Sequence, residues 1–482
     1  MDRAMTLSDH RLIAGFDRAG RQWTVDAGAA GLVPAPELAG RLLADPATLA
    51  RYGRDLGNIV DAVPAAVLVP GSVDDVRAMV AYCHDLDIPV SARGEACTTN
   101  GQSLVEGGLV IDMTALAEVH QITRTWLEAD AGASWRSVAY LAAQRGLRAE
   151  GLPGYLRLTL GGTLSVGGIG SNFREGGLVD QVLAVEVVTG TGERLWCSPN
   201  RNAELFDSVL GGLGQYGIIT RVRLRLLPAP ECSRTYLLHY VEPRPAFRAM
   251  RTLIERDEID GVFAMVVPPT TASPPLYQVR VHVFHDGIPP EQSHTLRGLP
   301  TGVSAPMVVD ESYLDHISEF DGLIDDYREI GWDQRVKPRH DVLLPDATVE
   351  EHVGSVVPAL TREEWAPQGF VLILPHLARS FLSPRLRIPA DSDVVWLFDL
   401  LTVAPVDADA GFTTRMLERN ARLWQRARAL GGVLYPLGST EFGQQDWRDH
   451  YGATWLDVLT AKKRYDPVGI LGTGVGIFPR QG

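Results

Sequence analysis

Three glycine-rich stretches between residues 91 and 220 carry the strongest chemical signal in this chain. The first is Ser91-Ala92-Arg93-Gly94-Glu95-Ala96-Cys97-Thr98-Thr99-Asn100-Gly101-Gln102-Ser103. The second runs from Leu158 through Thr159, Gly161, Gly162, Thr163, Ser165, Gly167, Gly168 and Ile169 to Asn172. The third is Leu210-Gly211-Gly212-Leu213-Gly214-Gln215-Tyr216-Gly217-Ile218-Ile219-Thr220. Glycine has no Cβ, so backbone N–H groups can crowd around an anion. Hydroxyls at Thr98, Thr159, Thr163 and Ser165 would add donors. One such stretch alone would read as a turn; three in succession point to the pyrophosphate of a dinucleotide. A Gly-x-Gly-x-x-Gly after the first strand is missing, which speaks against a Rossmann site.

Alternating strands and helices must hold these stretches. Ala65 to Val69 is a short apolar run stopped by Pro70, hence a strand. Ser72, with Asp75 three residues on, caps a helix whose apolar face is Val73, Val76, Met79, Val80 and Cys83. Ile88 to Ala92 is a second strand that runs into Arg93-Gly94. Leu109 to Met113 and Trp126 to Ala129 read as further strands, and Ser134 to Arg145 as a helix closed by Gly146. Leu183 to Val188 and Arg194 to Cys197 form a hairpin around Thr189-Gly190-Thr191-Gly192. Ile218 to Leu227 is an alternating strand ended by Pro228. Residues 1–50 read as helical or loose, broken at Pro34 and Pro36.

Beyond about Pro230 the grammar changes. Apolar strands at Val262 to Val267, Phe370 to Leu374 and Val394 to Leu401 alternate with helices such as Phe412 to Leu430, an α+β pattern with an antiparallel sheet covered by helices. A chain of 482 residues is too long for one ordinary core. A net charge of −14 argues against general nucleic-acid binding, which needs a basic face. The four cysteines, Cys83, Cys97, Cys197 and Cys232, include no CxxC pair, so neither a disulfide framework nor a metal site is expected. Met1 to Val33 contains no apolar h-region, and the expectation is a cytoplasmic protein with no membrane span, acting as a monomer or homodimer.

The order and wording of the stretches resemble the FAD-binding domain of the vanillyl-alcohol-oxidase / p-cresol methylhydroxylase (PCMH) type, nearest the cytokinin dehydrogenases. Tyr155-Leu156-Arg157-Leu158-Thr159 leads into Gly161-Gly162-Thr163-Leu164-Ser165 as it does there. Leu205 to Leu210 leads into the third stretch, and Asp446-Trp447, His450-Tyr451-Gly452 and Lys463-Arg464-Tyr465-Asp466-Pro467 agree near the end. The resemblance implies an α+β fold. Its PCMH-type FAD-binding domain would be built from both chain ends, residues 1–230 (core 55–230) and 431–482. A substrate (cap) domain, residues 231–430, would carry the antiparallel sheet and helices. The FAD contacts it implies are Arg93, Gly94, Glu95, Ala96, Cys97, Thr98, Gln102, Thr159, Ser165, Ile169 and Ile218, with Tyr435 added from the C-terminal segment.

Three departures from that pattern matter. Cys97 stands where the family has a histidine bonded to the flavin; a thiolate activated by surrounding N–H groups could keep the bond, or a small residue could leave FAD noncovalent. Gly154 stands where the family has its catalytic aspartate, and glycine cannot accept a proton. Gly472 and Val475 replace a serine and a glutamine. Replacement groups must come from the cap. His340 and His376 lead, because imidazole titrates near neutrality. Tyr313, Asp315, His316 and Asp321 align with an acidic site of the family, Trp396 and Asp399 share a strand that would line the cavity, and Tyr155 would face the ring. For each alone, a core or surface role is the competing reading.

The leading reading is an FAD-dependent oxidase or dehydrogenase taking a hydride from a C–H next to nitrogen or oxygen. Its substrate would be a small organic molecule of specialised biosynthesis, with oxygen or a carrier as acceptor. A redox-neutral cyclase or isomerase and a non-catalytic FAD-binding protein stay open at this point.

Overall fold

The computed structural model describes residues 13–270, 273–366 and 368–478. The expected elements of the first half form with small shifts at their ends. Val73–Leu86 is a helix capped by Ser72, whose hydroxyl accepts the Asp75 N–H, and its apolar face is buried. The Asp75 carboxylate in turn accepts the N–H groups of Ala39, Gly40 and Gly71. Ala66–Val69, Leu109–Asp112 and Val90–Arg93 pair in parallel, with Arg41–Leu43 antiparallel at the edge.

A second, antiparallel sheet runs Arg194–Cys197, Val182–Thr189, Gly217–Pro228, Trp126–Asp130 and Val119–Ile122, with Leu147–Ala149 also on Gly217–Pro228. The glycine turn of its hairpin is real: Gly192 has φ +79. The helix Trp135–Ala143 lies where it was expected. Residues 13–34 correct the helical-or-loose expectation. Gly15–Asp17, Gln22–Thr24 and Leu32–Pro34 form a small antiparallel sheet. The Trp23 ring stacks on Tyr82, whose hydroxyl donates to the Val33 carbonyl, so a tertiary contact organises a segment whose own periodicity is weak. Met1 to Arg11 and Leu12 lie outside the described residues.

The second half builds one eight-stranded antiparallel sheet. Its order is Met307–Ser312, Cys232–Tyr240, Leu276–His285, Gly261–Val267, Phe370–Leu377, Val394–Leu401, His340–Pro345, Val433–Leu434. Helices Pro243–Arg256, Asp346–Val356 and Phe412–Ala429 cover one face. Because side chains alternate across a strand, Val342, Leu344, Trp396, Phe398 and Leu400 go to the helix side. Leu343, Leu374 and Leu397 face the first half of the chain and join its core. Among the described residues no helix is long and apolar enough to cross a membrane.

The C-terminal segment returns to the first half. Val90 N–H donates to the Ile470 carbonyl, placing the tail beside the strand that feeds the first glycine-rich stretch. The buried Lys462 ammonium contacts Asp466 at 2.7 Å and donates to the carbonyls of Gln215 and Leu471. Asp466 also accepts the N–H groups of Gly469, Ile470 and Leu471. Removing one partner strands a buried charge, which typically costs 3–5 kcal/mol. Lys462→Met should therefore lower unfolding stability by about 3–5 kcal/mol in urea denaturation, with or without cofactor. A loss below ~1 kcal/mol would show that the joint does not depend on this pair.

Candidate functional site

Where the two halves meet, all three glycine-rich stretches and the inner face of the eight-stranded sheet border one cavity of about 460 Å³, a size typical of small-molecule sites. The first stretch leaves the strand Val90–Arg93 and is held from beneath by Asp55. Its carboxylate accepts the Thr98 hydroxyl at 2.8 Å, the Gly101 N–H at 2.7 Å and the Gly57 N–H at 3.1 Å. Burial pushes the Asp55 carboxyl up to about 6, although these bonds oppose the shift. Gln102 ties the same loop to the C-terminal side by donating to the Gly438 carbonyl. Gly94 sits against the second stretch so closely that a Cβ there would overlap Thr159 Oγ1.

Three of the four hydroxyls expected to meet phosphate donate elsewhere. Thr98 donates to Asp55, while Thr159 accepts the Gly162 N–H at the start of the helix Leu160–Val166, a bond that leaves its own O–H able to donate. Thr163 and Ser165 bond back to the carbonyls of Thr159 and Gly161, the usual alternative for hydroxyls inside a helix. The cradle therefore presents mainly backbone and apolar surface, and Gly214, with φ +70, has open space where a Cβ would stand.

Gly94, Glu95, Ala96, Cys97, Thr98, Gln102, Thr159, Ser165, Ile169, Ile218 and Tyr435 all border the cavity. Arg93 does not. Ala92 and Gly94 face inward, so the residue between them points out, and its guanidinium lies 5.3 Å from the centre of the Tyr52 ring. The Tyr435 hydroxyl accepts the Gly168 N–H at 3.2 Å. Such a wall suits a flavin dinucleotide: a glycine cradle at one end, and Ile169, Ile218 and the apolar strands Phe370–Leu377 and Val394–Leu401 around the rest.

Cys97 borders this cavity, but its thiol is not activated. Burial, and secondly the Glu95 carboxylate, push it up to about 12; Arg328 and Arg339 are the first cations that oppose the shift. The expected lowering by N–H groups is absent. Tyr155 also borders the cavity, its phenol raised to about 12 by burial, with the Arg328 guanidinium 5.8 Å from the ring centre. At Gly154 a Cβ would meet only Phe320, at 3.8 Å, so the space of a side chain is open there.

The structure separates the remaining candidates. Asp399 borders the cavity and is gripped by Arg339, whose Nε donates to its Oδ1 at 2.9 Å. Trp396, three positions earlier on the same strand, falls on the opposite face; it is buried among the helices with its Nε1–H on Asp346 at 2.8 Å. A strand with a period of two cannot turn both inward. His340 also points to the helix side, its Nδ1 3.2 Å from Thr440 Oγ1, and burial holds it well below the usual imidazole range. His376 is buried, lowered to about 4, with Nδ1 3.0 Å from the Glu175 carbonyl, and does not border the cavity. Asp321 is likewise outside; it accepts the Leu156 N–H at 2.8 Å and so positions the segment carrying Tyr155. Of the aligned acidic site, Tyr313 and His316 border the cavity, whereas Asp315 is engaged by the helix cap Ser312, whose hydroxyl accepts its N–H.

Asp55, Lys337, Arg339 and Glu175 were not singled out by the sequence, whereas Asp341, beside His340, was a candidate base. Lys337 borders the cavity, is lowered to about 8 by burial, and donates to the Leu56 carbonyl at 3.0 Å. Asp341, paired across the strands with Asp399, lies 3.0 Å from Arg339, and burial holds it well above the usual carboxylate range. No motif marks these groups; each acquires its place through contacts distant in sequence.

Comparison with known proteins agrees with this arrangement. An FAD binding domain family matches residues 64–198, and the family described as "Cytokinin dehydrogenase 1, FAD and cytokinin binding" matches residues 291–478. An uncharacterized oxidoreductase of the fasciation locus of Rhodococcoides fascians is 31% identical over 89% of this chain and 97% of its own. Cytokinin dehydrogenase 10 of Oryza sativa subsp. japonica is 29% identical over 88% of this chain and 86% of its own. The crystal structure of 6-hydroxy-D-nicotine oxidase from Arthrobacter nicotinovorans superposes with a TM-score of 0.71 at 19% identity, covering 91% of this chain and 98% of that one. It shares the fold.

The close approach of the first two stretches yields a test. Gly94→Ala must push Thr159 away and open the cradle. FAD affinity, followed by fluorescence titration of the apoprotein, should fall about ten-fold or more, a change of ~1.4 kcal/mol. Unchanged affinity would mean that the junction of Gly94 and Thr159 does not shape the cradle.

Proposed function

This chain belongs to the FAD-linked oxidoreductase family that includes the cytokinin dehydrogenases, and from that premise we propose that it oxidises a C–H bond next to nitrogen or oxygen in a small, largely apolar molecule. Residues 1–230 and 431–482 hold the dinucleotide in this reading, and 231–430 cap it. The observation that carries it is the shared cavity, bordered by the glycine-rich stretches on one side and by Phe263, Phe370, Leu372, Leu374 and Leu397 on the other. FAD held in the glycine-rich cradle would supply a hydride acceptor whose electrons can pass on to oxygen or a carrier. The apolar cap wall excludes water and strengthens each polar contact inside. Asp399, oriented by Arg339, accepts a hydrogen bond from a substrate polar group away from the reacting carbon, and the protonated Tyr155 phenol donates one.

Cytokinins fit this cavity poorly as substrates, because a substrate that presents its N–H at position 154 meets no carboxylate there. Proton transfer by a placed side chain is worth about 10²–10⁴-fold, so an isoprenoid adenine should reduce the flavin at least ~10²-fold more slowly than the true substrate. Rapid mixing without oxygen measures this directly: secondary amines and alcohols of matching size should bleach the flavin absorbance. Steady anaerobic turnover with the flavin still oxidised would replace this reading with a redox-neutral one.

We also assign Cys97 as the flavin tether. Such a tether would join Sγ to a ring-methyl carbon in place of one S–H and one C–H bond, with two protons released and two electrons leaving for the acceptor. Burial keeps the thiol protonated, so bond formation follows a small thiolate fraction and should speed up nearly ten-fold per pH unit below the thiol pKa of about 12. Acid-precipitated protein should retain flavin, and Cys97→Ala should release it to the supernatant. Complete release from the wild-type chain after reconstitution at high pH would leave Cys97 a space-filling residue.

A further inference from the structure

Six carboxylates border the cavity, and their partners sort them. Glu150, Glu319 and Asp399 pair with Arg225, Arg280 and Arg339. Asp260 accepts the Phe284 N–H at 2.7 Å, and Glu95 is exposed. Glu175 differs. Among the contacts of the described residues its carboxylate accepts one neutral donor, Asn172 Nδ2, at 2.7 Å, and no guanidinium caps it.

Its location is as telling as the lack of a direct ion pair among the described residues. A Cβ on Gly151 would overlap Glu175 Oε2, so the carboxyl rests on the backbone of the segment that three residues later carries the open position at Gly154. That segment is fixed to the second glycine-rich stretch through the pairing of Pro153 with Gly170. The loop bearing Glu175 is fixed as well. Its N–H donates to the Asn172 carbonyl at 3.1 Å, its carbonyl lies 3.0 Å from His376 Nδ1, and Ile169 pairs with Gly177 just beyond it.

We propose that Glu175 takes the proton from the substrate N–H or O–H during oxidation, replacing the carboxylate that Gly154 cannot supply, with His376 as its positioning residue. This rests on the oxidoreductase reading above. In this step the substrate C–H and X–H bonds break, with X being N or O, and a C=X bond forms. The hydride and its two electrons go to the flavin, and the proton goes to the Glu175 carboxylate.

Burial lifts the Glu175 carboxyl to about 8. The groups facing it are Arg148, which opposes the lift, and Glu150, which adds to it, both on the neighbouring segment; Arg174 on its own loop; and Tyr313 from the adjacent helix. Tyr313, raised to about 12, and His376, lowered to about 4, stay neutral between pH 6 and 10. A base must be unprotonated to act, so the rate rises with pH and levels off above about 8.

The experiment uses flavin-loaded protein and a panel of cyclic secondary amines and benzylic alcohols, scored by anaerobic flavin reduction from pH 6 to 10. Glu175→Gln should keep its flavin content and thermal stability, reduce the flavin ~10²–10⁴-fold more slowly, and lose the rise near pH 8. Glu175→Asp should retain part of the rate and the rise. Apart from activity, infrared titration of the wild-type carboxyl band should show one protonated carboxylic acid ionising near pH 8 that Glu175→Gln removes. A Glu175→Gln enzyme with wild-type rate and pH profile overturns the role of Glu175 while the oxidoreductase reading stands. A wild-type flavin reduced by no member of the panel overturns both.

Discussion

The site depends first on a buried ammonium. Lys462 gathers the Gln215 carbonyl from the third glycine-rich stretch, the Leu471 carbonyl from the returning tail and the Asp466 carboxylate into one contact set. A charge taken out of water must be met on every side, so these groups cannot drift apart without stranding it. Through Ile470 the same joint reaches the strand that delivers the first stretch. The two ends of the chain are thereby locked into one wall of the cavity, and Asp55 does the same for the loop above it.

The opposite wall follows from the period of a β-strand. Along Phe370–Leu377 and Val394–Leu401 alternate residues serve the helices and the cavity. That alternation turns Leu372, Leu397 and Asp399 inward and Trp396 and Phe398 outward. The sheet thus carries two unrelated duties on its two faces. One is a packed core with helices; the other is an apolar lining of the cavity.

Burial also governs which ionisable groups can work near neutrality. The two histidines that residue type favours, His340 and His376, are so deeply packed that both stay neutral and away from the cavity. The groups that burial moves toward neutrality inside the cavity are Glu175, at about 8, and Lys337, also at about 8. Lys337 is spent on backbone carbonyls that join loop to cap. Glu175 is held by the neutral Asn172 amide. In this fold the open position at Gly154 lies on the same stretch of backbone against which the Glu175 carboxyl rests, which is where function has room to change without loss of the scaffold.

The sequence by itself determined the cradle. The glycine spacing, the Thr159-to-Ser165 motif and the strand preceding Gly94 are local signals, set by what a backbone without Cβ can do; of the twelve positions at which the family resemblance implies FAD contact, eleven border the cavity, Arg93 being the exception. It also determined the strands and the helix Phe412–Ala429 of the second half, because apolar periodicity is local too. Only the tertiary structure decided which polar groups face the reacting space. Whether an inward position on the strand is 396 or 399 depends on register, and register is set by strands far away in sequence. The small sheet at 13–34, the grip of Arg339 on Asp399 and the seat of Glu175 beside Gly151 are likewise products of long-range packing. Proton affinity, finally, is decided by burial, which no single residue type announces.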